Sequence, residues 1–326
     1  MITALYGSLE AGMIYAIMAL GVYLSFRILH FPDLTVDGSF VTGAAVAAVM
    51  IVQGIHPLWG TLAALIAGFL AGALTGVLHT KGKINPLLSG ILMMIALYSI
   101  NLRIMGKANV PLLNEETLYT KLGAFWESSG IGQVIPGFWS LLIVMTIVTF
   151  IIKWLTDVFL KTEIGLAMRA TGDNQRMIRS FSANTDQLTI LGLGISNAFV
   201  AFSGAFFAQY TGFADVGMGI GMIVVGLASV IIGEAIFGTK TIVRTTFAVI
   251  GGAIIYRIVV ALALRVEFLE TGDMKLITAV IVIFALVMPK VLDQFKEKQR
   301  RRKRRAQYMN DVGEEGEPFA SSQTNS

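Results

Sequence analysis

The chain has 326 residues, of which 55% are hydrophobic and only 14% are charged, whereas soluble domains carry about 25% charged residues. This composition excludes a disordered chain, a basic nucleic-acid-binding domain and an ordinary water-soluble enzyme. The chain has no cysteine and only three histidines, which lie far apart. It therefore has no disulfide scaffold and no thiolate metal site, and we expect no bound metal.

Nine stretches of the chain are long and apolar enough to cross a bilayer, which takes about 20 mostly apolar residues. The second stretch is short and follows the polar segment 30–39, so a full span and a broken or half-inserted helix both stay open. The sequence predicts an all-α fold, a polytopic membrane bundle of about nine transmembrane helices. In chain order the stretches are 3–29, 40–54, 57–79, 86–105, 138–157, 188–212, 220–238, 245–263 and 275–292.

The connections between these stretches differ in charge. Lys and Arg are concentrated in alternate connections and above all in residues 290–305, and cytoplasmic loops carry the basic excess in membrane proteins. We therefore expect the N-terminus outside and the C-terminus inside the cell. The membrane domain is predicted to cover residues 1–295, followed by a disordered cytoplasmic tail, 296–326, that is first basic and then acidic. A basic run beside an apolar segment favours a topology signal at the lipid surface over nucleic-acid binding.

Small residues recur along the third stretch. Ala64, Gly68, Gly72 and Gly76 are spaced four apart and therefore lie on one helix face. Small faces let helices approach closely in lipid, so the sequence predicts a tightly packed bundle. A second glycine-rich run, 212–222, is compatible either with a half-helix end that faces a transport pathway or with a simple extracytoplasmic turn.

Ionisable side chains inside apolar stretches are costly in lipid and should face protein or water. Arg257 lies deep in the eighth stretch and needs a partner, for which Glu10 and Glu234 are candidates. Polar residues near the first two stretches, together with one in the glycine-rich run, are candidates for a solute pathway. These candidates are Glu10, Tyr15, Asp37, Ser39 and Asp215.

Three sequence motifs that are typical of well-known enzyme classes are absent from the sequence. It contains no GxxxxGK[ST] phosphate loop, no HExxH motif and no GxSxG motif. We therefore expect no catalytic residue and no cofactor held by the chain itself. Transport and membrane scaffolding remain as the possible functions.

Residues 158–187 form the longest predicted cytoplasmic connection before the tail. Residues 163–170 and 175–181 have amphipathic helical patterns, and a turn signal at 172–174 separates them. The residues 184–186 then predict the cap of the next span. A helix–turn–helix on the cytoplasmic face is typical of a membrane protein that receives a partner domain; a purely structural pair of interfacial helices is the alternative.

Three parts of the chain resemble the permeases of ATP-binding-cassette importers, and most closely the branched-chain amino acid permeases that are grouped with ribose-type sugar permeases. The first part, residues 158–187, looks like their coupling segment, and we use this name for it. The other two parts are residues 12–44 and 277–290. The resemblance covers essentially residues 5–292. The coupling pattern reads Gly165-x-x-x-Arg169-Ala170-x-Gly172-x-Asn174, followed by Asn184-Thr185-Asp186.

The segment 33–39, DLTVDGS, differs from the branched-chain type. It resembles a subgroup that is grouped with amino-acid uptake, aromatic amino acids among the substrates, while nucleosides and sugars stay open as solutes.

The resemblance implies a non-enzymatic permease subunit in the bacterial cytoplasmic membrane that forms the pathway for a small polar solute, most simply an amino acid. Its implied partners are a second permease copy, a cytoplasmic ATPase subunit that binds ATP and Mg, and an extracytoplasmic solute-binding protein. The alternative is a stand-alone secondary transporter or channel. The residues expected to take part in ATPase coupling are Gly165, Arg169, Ala170, Gly172, Asn174, Arg176 and Arg179. Among them Arg169, Asn174, Arg176 and Arg179 are the expected contacts, whereas Gly165 and Gly172 would permit close approach and the turn.

Overall fold

The computed structural model describes three long segments and a few single positions. Contacts divide the chain into one unit over Met1–Val282 and a second over Ile283–Ser326. The second unit is described only at positions 283, 284 and 287, which are helical. Most of the predicted ninth span and the whole of the predicted tail therefore lie outside the described residues. Those residues are 2–128, 139–180 and 183–263, with six single positions between 276 and 287.

Helices make up nearly all of the first unit where it is described. A π-helical turn follows the first helix, and two short strands lie between helices. The elements are α1 (Ile2–Tyr23), the π-helical turn (Leu24–Ile28), α2 (Thr35–Val52), α3 (Pro57–Thr80), α4 (Pro86–Met105), β1 (Asn109–Pro111), α5 (Leu118–Ser128), α6 (Ser140–Lys161), α7 (Glu163–Asp173), α8 (Gln175–Ser180), α9 (Thr185–Thr211), β2 (Phe213–Asp215), α10 (Met222–Phe237) and α11 (Ile242–Ala263).

Within the described segments, seven helices are long and apolar enough to cross a membrane. They are α1 with its π-helical turn, α2, α3, α4, α6, α9 and α11. The polytopic helical bundle is thus confirmed, whereas the number nine and the orientation stay predictions. The predicted span 220–238 is a shorter helix than expected, because α10 has only 16 residues.

The second span starts earlier than its hydropathy indicates. It was predicted to begin at residue 40, but α2 begins at Thr35 and runs unbroken for 18 residues. The carboxylate of Asp33 accepts a hydrogen bond from the Thr35 backbone N–H at 2.9 Å, and this bond satisfies a donor at the helix start. Polar residues therefore belong to the first turn of a continuous helix, and the broken-helix alternative is wrong for α2.

The small face of α3 packs against α9, as the sequence predicts. A Cβ atom at Gly72 would collide with the carbonyl oxygen of Leu193, and one at Gly68 would collide with that of Asn197. The two helix backbones are therefore in direct contact. Such contact replaces the hydrophobic effect as the source of helix association in lipid.

The two ends of α9 carry different structures. Its first residue follows α8, whereas its last residue leads through Gly212 into β2. This strand pairs antiparallel with β1, with Val110 opposite Ala214. We call the end with α7 and α8 the coupling end and the end with β1 and β2 the strand end. Helix α5 packs on the bundle, since the Tyr119 hydroxyl donates to the Phe206 carbonyl at 3.1 Å.

Candidate coupling segment and solute pathway

Helix α7 is fixed at its start by a cap and a close contact. The hydroxyl of Thr162 accepts a hydrogen bond from Gly165 N–H at 3.2 Å, which is the usual N-cap arrangement. A side chain at Gly165 would collide with the carbonyl oxygen of Phe159, near the end of α6. The side chain of Met168, one turn later, is fully buried. The first half of α7 therefore lies directly against the end of α6.

The second half of α7 lies against the end of the first span. A Cβ atom at Gly172 would collide with the carbonyl oxygen of Ile28, the last residue of the π-helical turn. The sequence predicts a helix end near Ala170 and a turn at Gly172, and this boundary is wrong. The helix continues to Asp173, because Asn174 N–H donates to the Ala170 carbonyl at 2.9 Å.

Helix α8 is held between α7 and α9. The side chain of Asn174 accepts a hydrogen bond from Met177 N–H at 3.1 Å and so begins α8. Arg179 donates to the Thr185 hydroxyl at 2.8 Å and to Asp186 at 3.0 Å. The predicted cap of the next span is confirmed, because the Asn184 side chain accepts from Gln187 N–H. The last residue predicted for this helix, Phe181, lies outside the described residues.

The coupling segment leaves apolar side chains uncovered. Ile164, Leu166 and Met177 are 50%, 51% and 46% exposed, and Arg176 is also exposed. Arg179 is engaged by α9, and Ala170 and Arg169 are half-buried. Exposed apolar side chains next to an arginine are typical of protein–protein contact surfaces. We call Ile164, Leu166, Arg176 and Met177 the coupling surface.

A polar cavity of about 480 Å³ lies beside α7 at the coupling end. Its wall includes Arg27, Arg169 and Lys240, together with the acid Glu234. Arg27 Nε donates to both carboxylate oxygens of Glu234, at 2.8 and 3.1 Å. This ion pair joins the π-helical turn to α10. Glu234 was a candidate partner for Arg257, and that expectation is wrong.

Arg257 contacts an aromatic ring instead of a carboxylate. Its guanidinium carbon lies 4.8 Å from the ring centroid of Tyr15, within the range of cation–π attraction. The ring of Tyr15 also packs against Phe207, with ring centroids 5.3 Å apart. Glu10, the other candidate partner, accepts a hydrogen bond from the Tyr210 hydroxyl at 3.3 Å. Among the described residues, Arg257 Nε has no hydrogen-bond partner.

A buried ion pair in α6 was missed by the sequence analysis. Lys153 pairs with Asp157 one turn later, and the two residues are only 8% and 6% exposed. Asp157 also accepts a hydrogen bond from the Thr246 hydroxyl of α11 at 2.6 Å. The available signal was the spacing of two opposite charges four residues apart, which places them on one helix face.

Asp37 binds the start of α10. Its two carboxylate oxygens accept from Gly221 N–H at 2.9 Å and from Ile223 N–H at 2.8 Å. Gly219 lies so close that a Cβ there would collide with the Asp37 carbonyl oxygen. The run 212–222 thus consists of β2, a turn over 216–221 and the first residue of α10, and Asp37 holds this turn and helix start against α2. That it faces a transport pathway stays a prediction.

The five pathway candidates do not form one cluster. Ser39 is fully buried, and its hydroxyl has no hydrogen-bond partner among the described residues. Asp215 lies at the strand end, where its carboxylate accepts from Gly217 N–H at 2.7 Å and from Asn109 at 3.4 Å. Glu10 accepts from Tyr210 of α9, whereas Tyr15 contacts Phe207 of α9 and Arg257 of α11. Asp37 is the candidate that also lines a pocket of the bundle.

The chain matches known proteins along nearly its whole length. Residues 5–288 match the family described as branched-chain amino acid transport system / permease component. The chain belongs to this permease family. It is accordingly an ABC-type permease, a transport subunit and a multi-pass protein of the cell membrane, and such permeases work in general with ATPase and binding-protein partners.

Individual relatives differ in the solute that their names give. The chain is 45% identical to the tyrosine transport system permease protein of Clostridioides difficile (strain R20291) over 271 residues, 83% of this chain and 86% of that protein. It is 33% identical to the uncharacterized protein RP368 of Rickettsia prowazekii (strain Madrid E), over 86% of this chain and 95% of that protein. The ribose import permease protein RbsC of Escherichia coli (strain K12) is 26% identical over 71% of this chain and 69% of its own length. No solved structure matches the chain.

Proposed function

We propose that this permease forms the membrane pathway of an importer for an amino acid or a similar small polar solute. A separate ATPase subunit docks on the coupling surface, and an extracytoplasmic binding protein delivers the solute. The tyrosine transport permease as a relative with 45% identity supports the class of solute. The observation that carries the proposal is the geometry of α7, which is fixed on one face and uncovered on the other.

The buried face of α7 contacts the ends of two membrane spans, so a partner that moved α7 would also move these spans. Gly165 contacts the end of α6, and Gly172 contacts the end of the π-helical turn that follows α1. Because protein interiors are close-packed, a displacement of α7 cannot be absorbed at these contacts and also moves the two span ends that α7 touches. An ATPase that pushed on the coupling surface would therefore shift α1 and α6 together.

Transport then follows from two states of the bundle. ATP-driven closure of the ATPase subunits favours one arrangement of α7, and the release of the products favours the other. The spans rock between openings on the two sides of the membrane as α7 moves. The Arg27–Glu234 pair, which joins the π-helical turn to α10, lies at the coupling end where such rocking would open the path.

The remaining parts of the assembly belong to the same proposal. A second copy of this permease completes the pathway, and ATP and Mg bind to the ATPase subunit and not to this chain. The membrane domain covers residues 1–295 and the cytoplasmic tail covers 296–326. Gly165, Arg169, Ala170, Gly172, Asn174, Arg176 and Arg179 position or contact the ATPase, with Arg176 as the exposed contact and Arg179 bracing α8 on α9.

Co-purification tests the docking step. The tagged permease, extracted in mild detergent, should retain its ATPase, and the double variant Leu166→Glu/Arg176→Glu should lose it. A matched control is Lys107→Glu, which makes the same charge reversal as Arg176→Glu at an exposed residue near the strand end and should retain the ATPase. If the double variant also retained the ATPase, the coupling surface would be wrong. If the purified chain alone carried solute, the stand-alone transporter or channel would replace the importer.

A further inference from the structure

A pocket of about 530 Å³ lies between α2, α4 and the segment that joins β2 to α10. Its wall includes Asp37, Tyr98 and Asn101 as polar residues, with Ile95 and Ile220 among the apolar ones. Small-molecule sites in proteins have volumes of about 300–1,000 Å³. The pocket is thus large enough for an organic solute and much larger than a bare ion requires.

Asp37 supplies a negative charge to this pocket. It lies in the first turn of a membrane-spanning helix and is only partly buried. Among the described residues, Asp37 forms no salt bridge. Two backbone N–H groups use part of its hydrogen-bonding capacity, but a carboxylate offers about four lone-pair sites. An ionisable side chain inside a span normally marks a substrate or ion path.

The pocket favours a cation over an anion. The start of α10 would attract an anionic group, but Asp37 already occupies it. Asn101 also lines the pocket: its Nδ2 donates to the Gly38 carbonyl at 3.1 Å, and its buried Oδ1 has no hydrogen-bond partner in the part of the chain that the structure describes. A primary ammonium group, with three donors and a positive charge, matches the remaining lone pairs of the Asp37 carboxylate.

The rest of the wall is apolar and uncovered. Ile95 and Ile220 are 59% and 60% exposed, and Tyr98 is 53% exposed. An aromatic side chain of a solute would pack on the Tyr98 ring in an offset or edge-to-face arrangement. A lipid acyl chain would also contact the isoleucines, but it would leave the carboxylate of Asp37 without a cation, which is costly in lipid.

We infer that this pocket binds an α-amino acid with an apolar or aromatic side chain during transport, with Asp37 holding its ammonium group and Tyr98 contacting its side chain. This inference rests on the proposed importer function and adds to it a place and a recognised chemical group. Asp37 is consequently both the cap of α10 and a solute ligand, so that arrival of the solute is linked to the position of α10.

Cysteine labelling tests the inference, because the chain has no native cysteine. Ile95→Cys places a thiol in the pocket wall without altering Asp37, Asn101 or Tyr98. Leu70→Cys on α3 is the matched control, since Leu70 is 57% exposed and does not line the pocket. The assembled importer in membrane vesicles is treated on both sides with a charged methanethiosulfonate, and labelling of this chain is followed by mass.

The expected results distinguish recognition of the ammonium group of the solute from recognition of its carboxylate. L-Tyrosine and tyramine should each slow the labelling of Ile95→Cys about tenfold at about ten times their Kd, whereas 3-(4-hydroxyphenyl)propionate, which lacks the ammonium group, should not slow it. Leu70→Cys should stay unlabelled throughout.

Three results would overturn the inference. Labelling of Ile95→Cys only by a lipid-soluble maleimide would show a lipid-filled groove, and no labelling by either reagent would show a face covered by a second copy. Labelling that no amine slows would show that the pocket does not bind the ammonium group. ATP-dependent accumulation of L-tyrosine by the wild-type vesicles is measured in parallel. If that accumulation is present while protection fails, only the pocket is wrong. If accumulation itself is missing for every amino acid, the proposed function fails.

Discussion

The backbone of Gly172 in α7 lies directly against the carbonyl oxygen of Ile28, at the end of the π-helical turn that closes the first span. π-Helical turns are rare and occur often at functional sites. Because no side chain separates the two backbones, a movement of α7 displaces the π-helical turn directly. This contact joins α7, on which we propose that the ATPase docks, to the first membrane span.

Gly172→Ala should therefore weaken coupling. The new methyl group meets the Ile28 carbonyl, and overpacking of this kind costs about 1–3 kcal/mol. We expect α7 to shift away from the π-helical turn, so that ATP hydrolysis by the complex continues while solute uptake falls. The ratio of solute taken up to ATP hydrolysed, measured in proteoliposomes, gives the readout.

The matched control is Gly123→Ala in α5, where a Cβ would have no neighbour within 4 Å. This variant should keep the wild-type ratio. An unchanged ratio in Gly172→Ala would show that the Gly172–Ile28 contact does not carry the coupling.

The packing of α3 on α9 predicts a second effect, on stability. Gly72→Ala should lower the midpoint of thermal unfolding in detergent, because the added Cβ collides with the Leu193 carbonyl. The collision outweighs the roughly 1 kcal/mol that alanine gains over glycine in a helix. Leu74→Ala on the same helix, at a side chain that is 54% exposed, should change the midpoint much less. Equal midpoints for the two variants would contradict the packing.

The buried pair in α6 predicts a non-additive result. Asp157→Asn leaves Lys153 as a buried charge without its partner, and breaking such a pair costs about 3–5 kcal/mol. The double variant Lys153→Met/Asp157→Leu removes both charges and should be clearly more stable than Asp157→Asn. Thermal unfolding of the purified permease measures both, and a double variant less stable than the single one would refute a paired arrangement.

Asp37 predicts a local effect at the start of α10. Asp37→Ala removes the acceptors of Gly221 and Ile223 N–H, and loss of an N-cap costs about 0.5–2 kcal/mol. Amide hydrogen exchange of residues 219–225 should become faster, with Asp37→Asn in between because its amide oxygen can accept one bond. Exchange at the start of α9, which Asn184 caps, serves as the internal reference and should not change.

Local patterns were predictable from the sequence. The four-residue spacing that includes Gly68 and Gly72 gave the α3 face, and the Asn184 cap gave the start of α9, because each depends on neighbours along one helix. The helical bundle and the permease family followed in the same way from apolar stretches and the coupling pattern.

Contacts between distant parts of the chain could not be predicted. Arg27 and Glu234 are 207 positions apart, and nothing in their local sequence distinguishes this pairing from Glu234 with Arg257. Asp37 reaches Gly221 across 184 positions. Helix packing decides which of several polar side chains meet, and a single sequence holds no direct record of it. The end of α7 at Asp173 was missed for a related reason, since the glycine at position 172 allows close contact with the distant Ile28 and does not mark a turn.

The central claim is that an ATPase drives solute movement through this permease by way of α7. Its most direct test is ATP-dependent accumulation of labelled L-tyrosine and other amino acids in proteoliposomes that contain the permease, its ATPase and its binding protein. We expect accumulation that needs ATP and all three components, and that is lost in Leu166→Glu/Arg176→Glu but kept in Lys107→Glu. Accumulation or flux by the permease alone, unaffected by ATP or by the coupling variant, would contradict it.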